Sequence, residues 1–405
     1  MTTGLDGMVG AVDGDRLAAT VAALADAPFT GRRAGSPGGA AAREWLAGRL
    51  RHAGAQVGVE PFEVRSVPEI HAVPRAAWHD GRTAEALTFG RQVMPQVTSA
   101  DVPAARRGGL AVAGTGDPAG RWLVVPEGMS LFDAYGHAGG ALGLLIGRAV
   151  DEHGWHYTML AGPDPGPLPV LALDRAAYAA VAGAASARAG WLEASTPIRR
   201  ADVTAANLHA HWSGGVPAVL LTAHYDGVGD LPGLRQPAAA DNASGVAVVL
   251  EAARLLGPGH SLAVALLDAE EIGALGSAHH ATQLRRAGTA PMVINVDGAG
   301  HLHEAAAVEA GGPAHRLLAA LDQAGRHTGV PLAAGPVASD NRRYAAAGLP
   351  AIGIGAGMAG YHSPADTPGR VDLGTLVAVC RLVVATVWLA TTDPARLSSS
   401  IGDRR

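Results

Sequence analysis

The chain has 405 residues, 48 % hydrophobic, 4 % aromatic and 17 % charged, with a formal net charge of −5 at pH 7. That balance provides no basic field for a nucleic acid, and the apolar content is too high for a disordered chain. A single cysteine, Cys380, rules out an intrachain disulfide.

The length suggests roughly two to three domains, with a core built mainly from Ala, Val and Leu because aromatic residues are scarce. Met1 to Asp15 has neither a basic n-region nor an apolar h-region. No run approaches the roughly 18 apolar residues that a membrane span needs, so the expectation is a cytoplasmic protein with no membrane partner.

In chain order, Asp15 to Asp26 carries Leu17, Val21 and Leu24 at helical spacing. A glycine-rich loop, Thr30 to Gly38, follows. A second helix runs from Gly39 to His52 and stops at Gly54, and Val57 to Val64 reads as a strand. From Pro68 to Glu193 short β-like runs, among them Trp122–Val125 and Leu142–Ile146, are separated by Gly/Pro/Asp turns. Pro163 to Pro167 is a break, and Asp174 to Arg188 an alanine-rich helix.

Beyond Ala201 apolar runs alternate with helical ones. The apolar runs are Ala218–Ala223, Leu262–Leu267, Met292–Val296 and Ala351–Ile354. The helical ones are Gly245–Leu256, Leu275–Ala287, Ala314–Thr328 and Leu373–Ala390. This alternation predicts an α/β fold with a mostly parallel sheet covered on both faces. The expected division is 10–67 and 196–393 as one catalytic unit, 68–195 as an inserted, smaller β-rich domain, and 394–405 as a disordered tail.

The residues that carry chemistry fall at the ends of the apolar runs. They are His224 and Asp226, Asp241, Glu270 and Glu271, Asp297, and Tyr361 with His362. In open α/β sheets the strand carboxyl ends form the binding cleft. His224, Glu270, Glu271 and Asp297 lie at or just past such ends.

Each signal alone has a plainer reading. Asp241, before Asn242-Ala243-Ser244-Gly245, can cap the following helix. Glu270-Glu271 can be a solvated turn, His224-Tyr225-Asp226 a surface turn, and His362 an exposed loop histidine. Asp297 closes an apolar run, so it must be paired, hydrated or metal-bound. Jointly, two histidines and three acids suit a pair of divalent ions such as Zn²⁺. A spare carboxylate beside them can serve as base, and Asp226 can orient His224.

At this point the motifs resemble peptidase family M28, the zinc aminopeptidases and related exopeptidases. The matching segments are Ala223–Asp226, Ala240–Gly245, Glu270–Gly273 with Gly276-Ser277, Asn295–Asp297, Ser339-Asp340 and Tyr361-His362. Thr30–Gly38 also looks like the family's N-terminal region. The resemblance spans 10–65 and 200–392.

It implies a phosphorylase/hydrolase-like α/β fold holding two Zn²⁺, with Co²⁺ or Mn²⁺ as possible substitutes. His224, Glu271, Asp297 and His362 would be terminal ligands and Asp241 the bridge. Glu270 would be general base and then acid, Asp226 the orienter of His224, and Tyr361 a stabiliser of the oxyanion. The segment 68–195 resembles a protease-associated domain through Gly120–Val125, Ala138–Leu145 and Leu168–Leu173, and would lid or shape the cleft.

The chain departs from the family at Asn341, where His is common after Ser-Asp, and at Tyr344 in place of Phe. Those departures bear on the substrate pocket rather than the metals.

The implied activity is metal-dependent hydrolysis of a peptide or small amide, most directly as an aminopeptidase. A carboxypeptidase or amidohydrolase would use the same ligand set. A single-zinc acyltransferase that cyclises N-terminal glutamine, and a non-catalytic binding protein, are the remaining alternatives. His279-His280 reads as a partly exposed helix face, His301 and His303 as surface with lining of the cleft as the alternative, and Cys380 as core. There is no nucleophile elbow beside a plausible triad and no phosphate loop. Oligomeric state stays open.

Overall fold

The computed structural model describes residues 2–392, and the expected tail from 394 to 405 lies outside them. Two eight-stranded sheets organise the chain. From one edge the first runs Gln56–Ile70, Ile198–His211, Leu262–Leu267, Val219–His224, Met292–Val296, Ala351–Gly355, Ala306–Gly311 and Leu332–Ala334.

Its centre is parallel. Val219–His224 pairs in parallel with both Leu262–Leu267 and Met292–Val296, which in turn pairs in parallel with Ala351–Gly355. The flanks are antiparallel where Ile198–His211 meets Leu262–Leu267 and where Ala306–Gly311 meets Ala351–Gly355. The sheet is therefore more mixed than the strand–helix alternation predicts. The antiparallel strands are joined through the rest of the fold and leave no βαβ signature in the sequence.

Alternate residues of the central strands serve opposite faces. Val219, Leu221 and Ala223 pack with the helices Gly14–Leu24, Ser244–Leu256, His315–Thr328 and Leu373–Thr391. Leu220, Ala265, Leu267 and Val293 pack on the other side with Leu275–Arg286 and Asn341–Ala346. Coverage of both faces explains why these strands are continuously apolar.

The helix Leu373–Thr391, with 19 residues, is apolar and long enough to cross a membrane by composition, unlike the expectation from the sequence. Here Leu376, Val379, Leu382, Val383 and Val387 are buried in the core. The helix Thr2–Gly10, the strand Ala306–Gly311 and the edge strand Leu332–Ala334 carry no sequence signal strong enough to be expected.

The second sheet runs Ala84–Ala86, Ala76–His79, Trp191–Thr196, Val102–Val112, Arg121–Val124, Gly143–Gly147, Val170–Leu173 and Val93–Pro95. Arg175–Ser186 covers one face through Ala177 and Val181, and Leu131–Gly136 covers the other through Ala134. The chain enters and leaves this sheet along the antiparallel pair Gln56–Ile70 and Ile198–His211. That pair is interrupted between Val64 and Val67, where Ser66 takes φ +60° and donates its N–H to Asp202.

Candidate metal centre

The strand Val219–His224 ends in a buried histidine, and the neighbouring strand Met292–Val296 runs directly into Asp297. Parallel pairing of these strands puts the two ends side by side. His224 Nε2 lies 3.3 Å from Asp297 Oδ1 and 3.3 Å from Asp241 Oδ1. On the far side of the same aspartate, His362 Nε2 lies 3.1 Å from Asp241 Oδ2 and 2.8 Å from Glu271 Oε2. Each oxygen of Asp241 thus belongs to a different histidine–carboxylate group. Within each group the donor atoms lie within 4.8 Å of one another, and all five side chains are buried.

Asp241 is available for this because it does not cap the following helix. Asn242 takes that role: its Oδ1 accepts the N–H of Gly245 at 2.9 Å and of Gly298 at 3.1 Å. Gly245 is required there, since a Cβ would stand 2.2 Å from Asn242 Oδ1 and 2.5 Å from the Val296 carbonyl. The plainer reading of Asp241 as a cap is thereby replaced by one in which its neighbour caps and the aspartate faces inward.

Asp226 does more than the sequence suggests. It sits 3.5 Å from His224 Nδ1 through Oδ1, and its backbone carbonyl is 3.2 Å from the same nitrogen. The same carboxylate accepts the backbone N–H groups of Glu270 at 3.1 Å and Glu271 at 3.2 Å. One buried aspartate therefore fixes the imidazole and the turn that presents both glutamates. The turn begins at Ala269, with φ +59°. Asp268 supports it by accepting from Ala269 N–H and, through its other oxygen, from Ala206 N–H and the Tyr225 hydroxyl. Burial and the neighbouring Asp226 push the Asp268 carboxyl up to about 7.

Two further supports escaped the sequence reading. Arg32, in the glycine-rich loop, is fully buried and takes φ +56°. It donates to the carbonyls of Tyr225 at 2.7 Å, Leu24 at 2.6 Å, Pro237 at 3.1 Å and Ala238 at 2.6 Å. Asp366 accepts the N–H groups of Ala240 at 2.6 Å and Asp241 at 3.0 Å. Together they clamp the backbone that leads into Asp241. Neither carries a sequence signal of its own, because an arginine that binds four carbonyls looks like any loop arginine until the loops meet.

The electrostatics are dominated by crowded acid. Burial opposes a charge on His224, but Asp297, Asp226 and Asp241 outweigh it and raise its pKa well above the ordinary value. His362 is raised in the same way against burial by Glu271 and Asp241. Burial, only partly offset by His362, lifts Glu271 to about 7. Burial also lifts Glu270 well above the usual carboxylate range, with Asp340 and Asp297 adding to the effect and His224 opposing it.

Asp340 is fully buried, both its oxygens lack a hydrogen-bond partner, and burial raises it to about 7. Hard oxygen donors, imidazole nitrogens and a surplus of buried negative charge fit divalent cations of the zinc type. Glu271 Oε1 is also buried without a partner, so this carboxylate has unused donor capacity within the group.

Glu270 is half-buried beside the two groups and takes part in neither. Tyr361 stacks on His362 with ring centroids 3.7 Å apart and an interplanar angle of 18°. Burial and the nearby carboxylates raise its phenol, so it stays a hydrogen-bond donor.

Tyr361 also divides two cavities. One of about 730 Å³ is lined by Val228, Leu231, Met94, Tyr157 and Met159, the last three from the second sheet's part of the chain. The other, about 570 Å³, is lined by Tyr157, His301, His303, Met358 and Arg370. His301 and His303 are exposed, and they also face this cavity. His280, expected on a partly exposed face, is instead buried with Nδ1 2.8 Å from the Tyr344 hydroxyl. Asn341 and Tyr344, expected to bear on the substrate pocket, are buried behind the site and line neither cavity.

Comparison with known proteins agrees with this geometry. Residues 207–387 match the model of peptidase family M28, a span that contains all five residues of the two groups. The zinc aminopeptidase BSAP from Bacillus subtilis superposes with a TM-score of 0.73 at 19 % identity, covering 94 % of this chain and 96 % of that one. An aminopeptidase from Aneurinibacillus sp. strain AM-1 gives 0.70 at 20 % identity, with 95 % of each chain covered. A peptidase M28 precursor from Shewanella amazonensis gives 0.72 at 18 % identity, with 97 % of each covered.

A glutaminyl cyclase from Fimbriiglobus ruber is less similar, at 0.50 and 16 % identity over 94 % of this chain and 96 % of that one. No curated protein sequence matches the chain. The histidine–carboxylate groups on the parallel strand ends, the matched span and the shared fold agree on one conclusion: over residues 207–387 the chain carries a domain of peptidase family M28.

Proposed function

We propose that the chain is a metal-dependent exopeptidase that hydrolyses the N-terminal amide bond of peptides with two zinc ions. The supporting observation is Asp241, whose two oxygens face separate groups, His224 with Asp297 and His362 with Glu271. One ion would be held by each group and Asp241 would bridge them. Bound zinc supplies a Lewis acid that polarises the substrate carbonyl and acidifies water.

The remaining chemistry belongs to the chain's own side chains. Glu270, outside both groups, takes the proton of the attacking water on its carboxylate and returns it to the leaving amine. Burial raises its affinity for the proton, which suits an acid that must hold one between the two steps. With both groups loaded, the Glu270 carboxylate would be drawn back toward its ionised form and stay available as base in the resting state. Tyr361, protonated and stacked on His362, donates to the oxyanion that develops on the carbonyl. Asp226 keeps His224 and both glutamates in register. The surplus of carboxylates attracts a free α-ammonium group, which favours cleavage from the amino end. The cavities beside Tyr361 accommodate the rest of the substrate.

The direct test is elemental analysis of the purified protein together with hydrolysis of a panel of aminoacyl chromogenic amides and N-blocked peptides, before and after chelation. The expected result is near two zinc per chain and cleavage of free-amine substrates that chelator abolishes and zinc restores. Activity that survives complete metal removal, or cleavage confined to N-blocked substrates with a free carboxyl end, overturns the reading.

A further inference from the structure

The two histidines of the metal centre are held in different ways. The ring of His224 is fixed by Asp226 and by the Asp226 carbonyl at Nδ1. The ring of His362 has no such partner, and its Nδ1 is buried without a hydrogen bond. A ligating histidine is ordinarily oriented through that second nitrogen. His362 also lies in a turn-rich segment and takes φ +51°. Apart from the face of Tyr361 and the two carboxylates that its Nε2 faces, Asp241 and Glu271, its orientation depends on how its backbone is anchored.

The anchor comes from the other sheet. Residues 148–169 connect the strands Gly143–Gly147 and Val170–Leu173. Within this connection the Thr158 N–H donates to the His362 carbonyl at 2.8 Å. One residue on, the Ser363 hydroxyl donates to Asp151 Oδ2 at 2.7 Å. The other oxygen of Asp151 accepts the N–H groups of His153 and Trp155, both at 2.8 Å, so this aspartate also shapes its own loop. The loop is in turn tied to its sheet: Arg91 lies over the Trp155 ring at 3.8 Å and donates to the His153 carbonyl at 3.0 Å. A last tie, Gln236 Nε2 to Thr158 Oγ1 at 2.9 Å, joins the loop to the segment leading into Asp241.

We propose that Asp151 is a positioning residue for the group formed by Asp241, Glu271 and His362, so that the second sheet sets the zinc affinity of one of the two groups and leaves the other alone. The proposal rests on the two-zinc reading above. It assigns the connection 148–169 a role in metal retention, separate from any part it plays in lining the cavities.

The test is a zinc titration of the metal-free full chain against a chromogenic chelator of known affinity. Wild type is expected to show two sites. Asp151→Ala is expected to weaken one of them by about 10- to 100-fold and leave the other unchanged, whereas Asp151→Asn, which keeps the acceptor for the loop N–H groups and a polar partner for Ser363, stays near wild type. Ser363→Ala leaves the loop 148–169 intact and cuts the same link from its other end, together with the bonds of Ser363 Oγ to Gly360 and Ala365 in its own turn, and is expected to weaken the same site even where Asp151→Ala fails to fold. In a His362→Ala background, where that group is already broken, Asp151→Ala should not alter the remaining site.

Equal weakening of both sites overturns the proposal, as do two unchanged affinities in Asp151→Ala and Ser363→Ala. A wild-type chain that takes up no zinc overturns the two-zinc reading itself and this inference with it.

Discussion

Each sheet has a run of adjacent parallel strands, yet only one of them presents the candidate metal-binding groups at its strand ends. In the second sheet the strand Val170–Leu173 leads into Asp174, and Asp174 caps the helix Arg175–Ser186 by accepting the Ala177 N–H at 2.7 Å. In the first sheet the comparable aspartate before a helix, Asp241, makes no cap, because Asn242 does so. The same residue type at the same kind of junction is structural in one place and a candidate ligand in the other. What separates them is the neighbours: Asp241 is clamped by Asp366 through backbone N–H groups and meets two histidines.

Substitutions can break this contrast in order of effect. Asp241→Ala should lower kcat/KM by about 10³-fold or more, with zinc content per chain falling in elemental analysis. Asp174→Ala should leave both unchanged. Glu270→Gln should keep the metal and lower kcat by about 10²- to 10⁴-fold; normal turnover with normal zinc content removes Glu270 from the role of base. Tyr361→Phe keeps the ring that stacks on His362 and should lower kcat by about 10²-fold with little change in metal affinity.

The remaining effects are on stability. Arg32→Met leaves the carbonyls of Leu24, Tyr225, Pro237 and Ala238 unpaired and should destabilise the fold by about 3–5 kcal/mol in denaturant titration. At the smallest end, Asp174→Ala should cost about 1 kcal/mol, as loss of a cap does.

A pH measurement separates the candidate metal centre from the far side of the same sheet. Burial, with His209 nearby, lowers His280 from the ordinary 6.5 to about 3. Below pH 6.5 the unfolded chain binds a proton that the folded chain refuses until about pH 3, so stability falls as pH drops through that window. In the metal-free protein, His280→Gln should make this acid arm shallower, and an unchanged slope assigns the loss to other groups.

Much of the site could be read from the sequence. The apolar runs Ala218–Ala223, Leu262–Leu267 and Met292–Val296 are long enough, and buried enough on both faces, to announce parallel strands. His224, Glu270, Glu271 and Asp297 stand at their ends, where such sheets put ligands. The spacing of these residues depends only on local chain geometry and strand order, so linear sequence carries it.

The supports could not be read in the same way. Arg32 finds Ala238 across 206 residues and Asp366 finds Asp241 across 125, and such pairings leave no periodic trace. Whether Asp241 or Asn242 caps the helix, and whether His362 faces solvent or Asp241, are settled by which loops pack together. The tether from Asp151 to Ser363 spans 212 residues and joins parts of the chain that the sequence presents as separate. Sequence by itself determined the candidate donors and the strand ends that present most of them, because both follow from residue type and local periodicity. Tertiary structure alone decided which candidate donors meet in one group and what holds each in place, because burial and long-range hydrogen bonds exist only once the sheets have assembled.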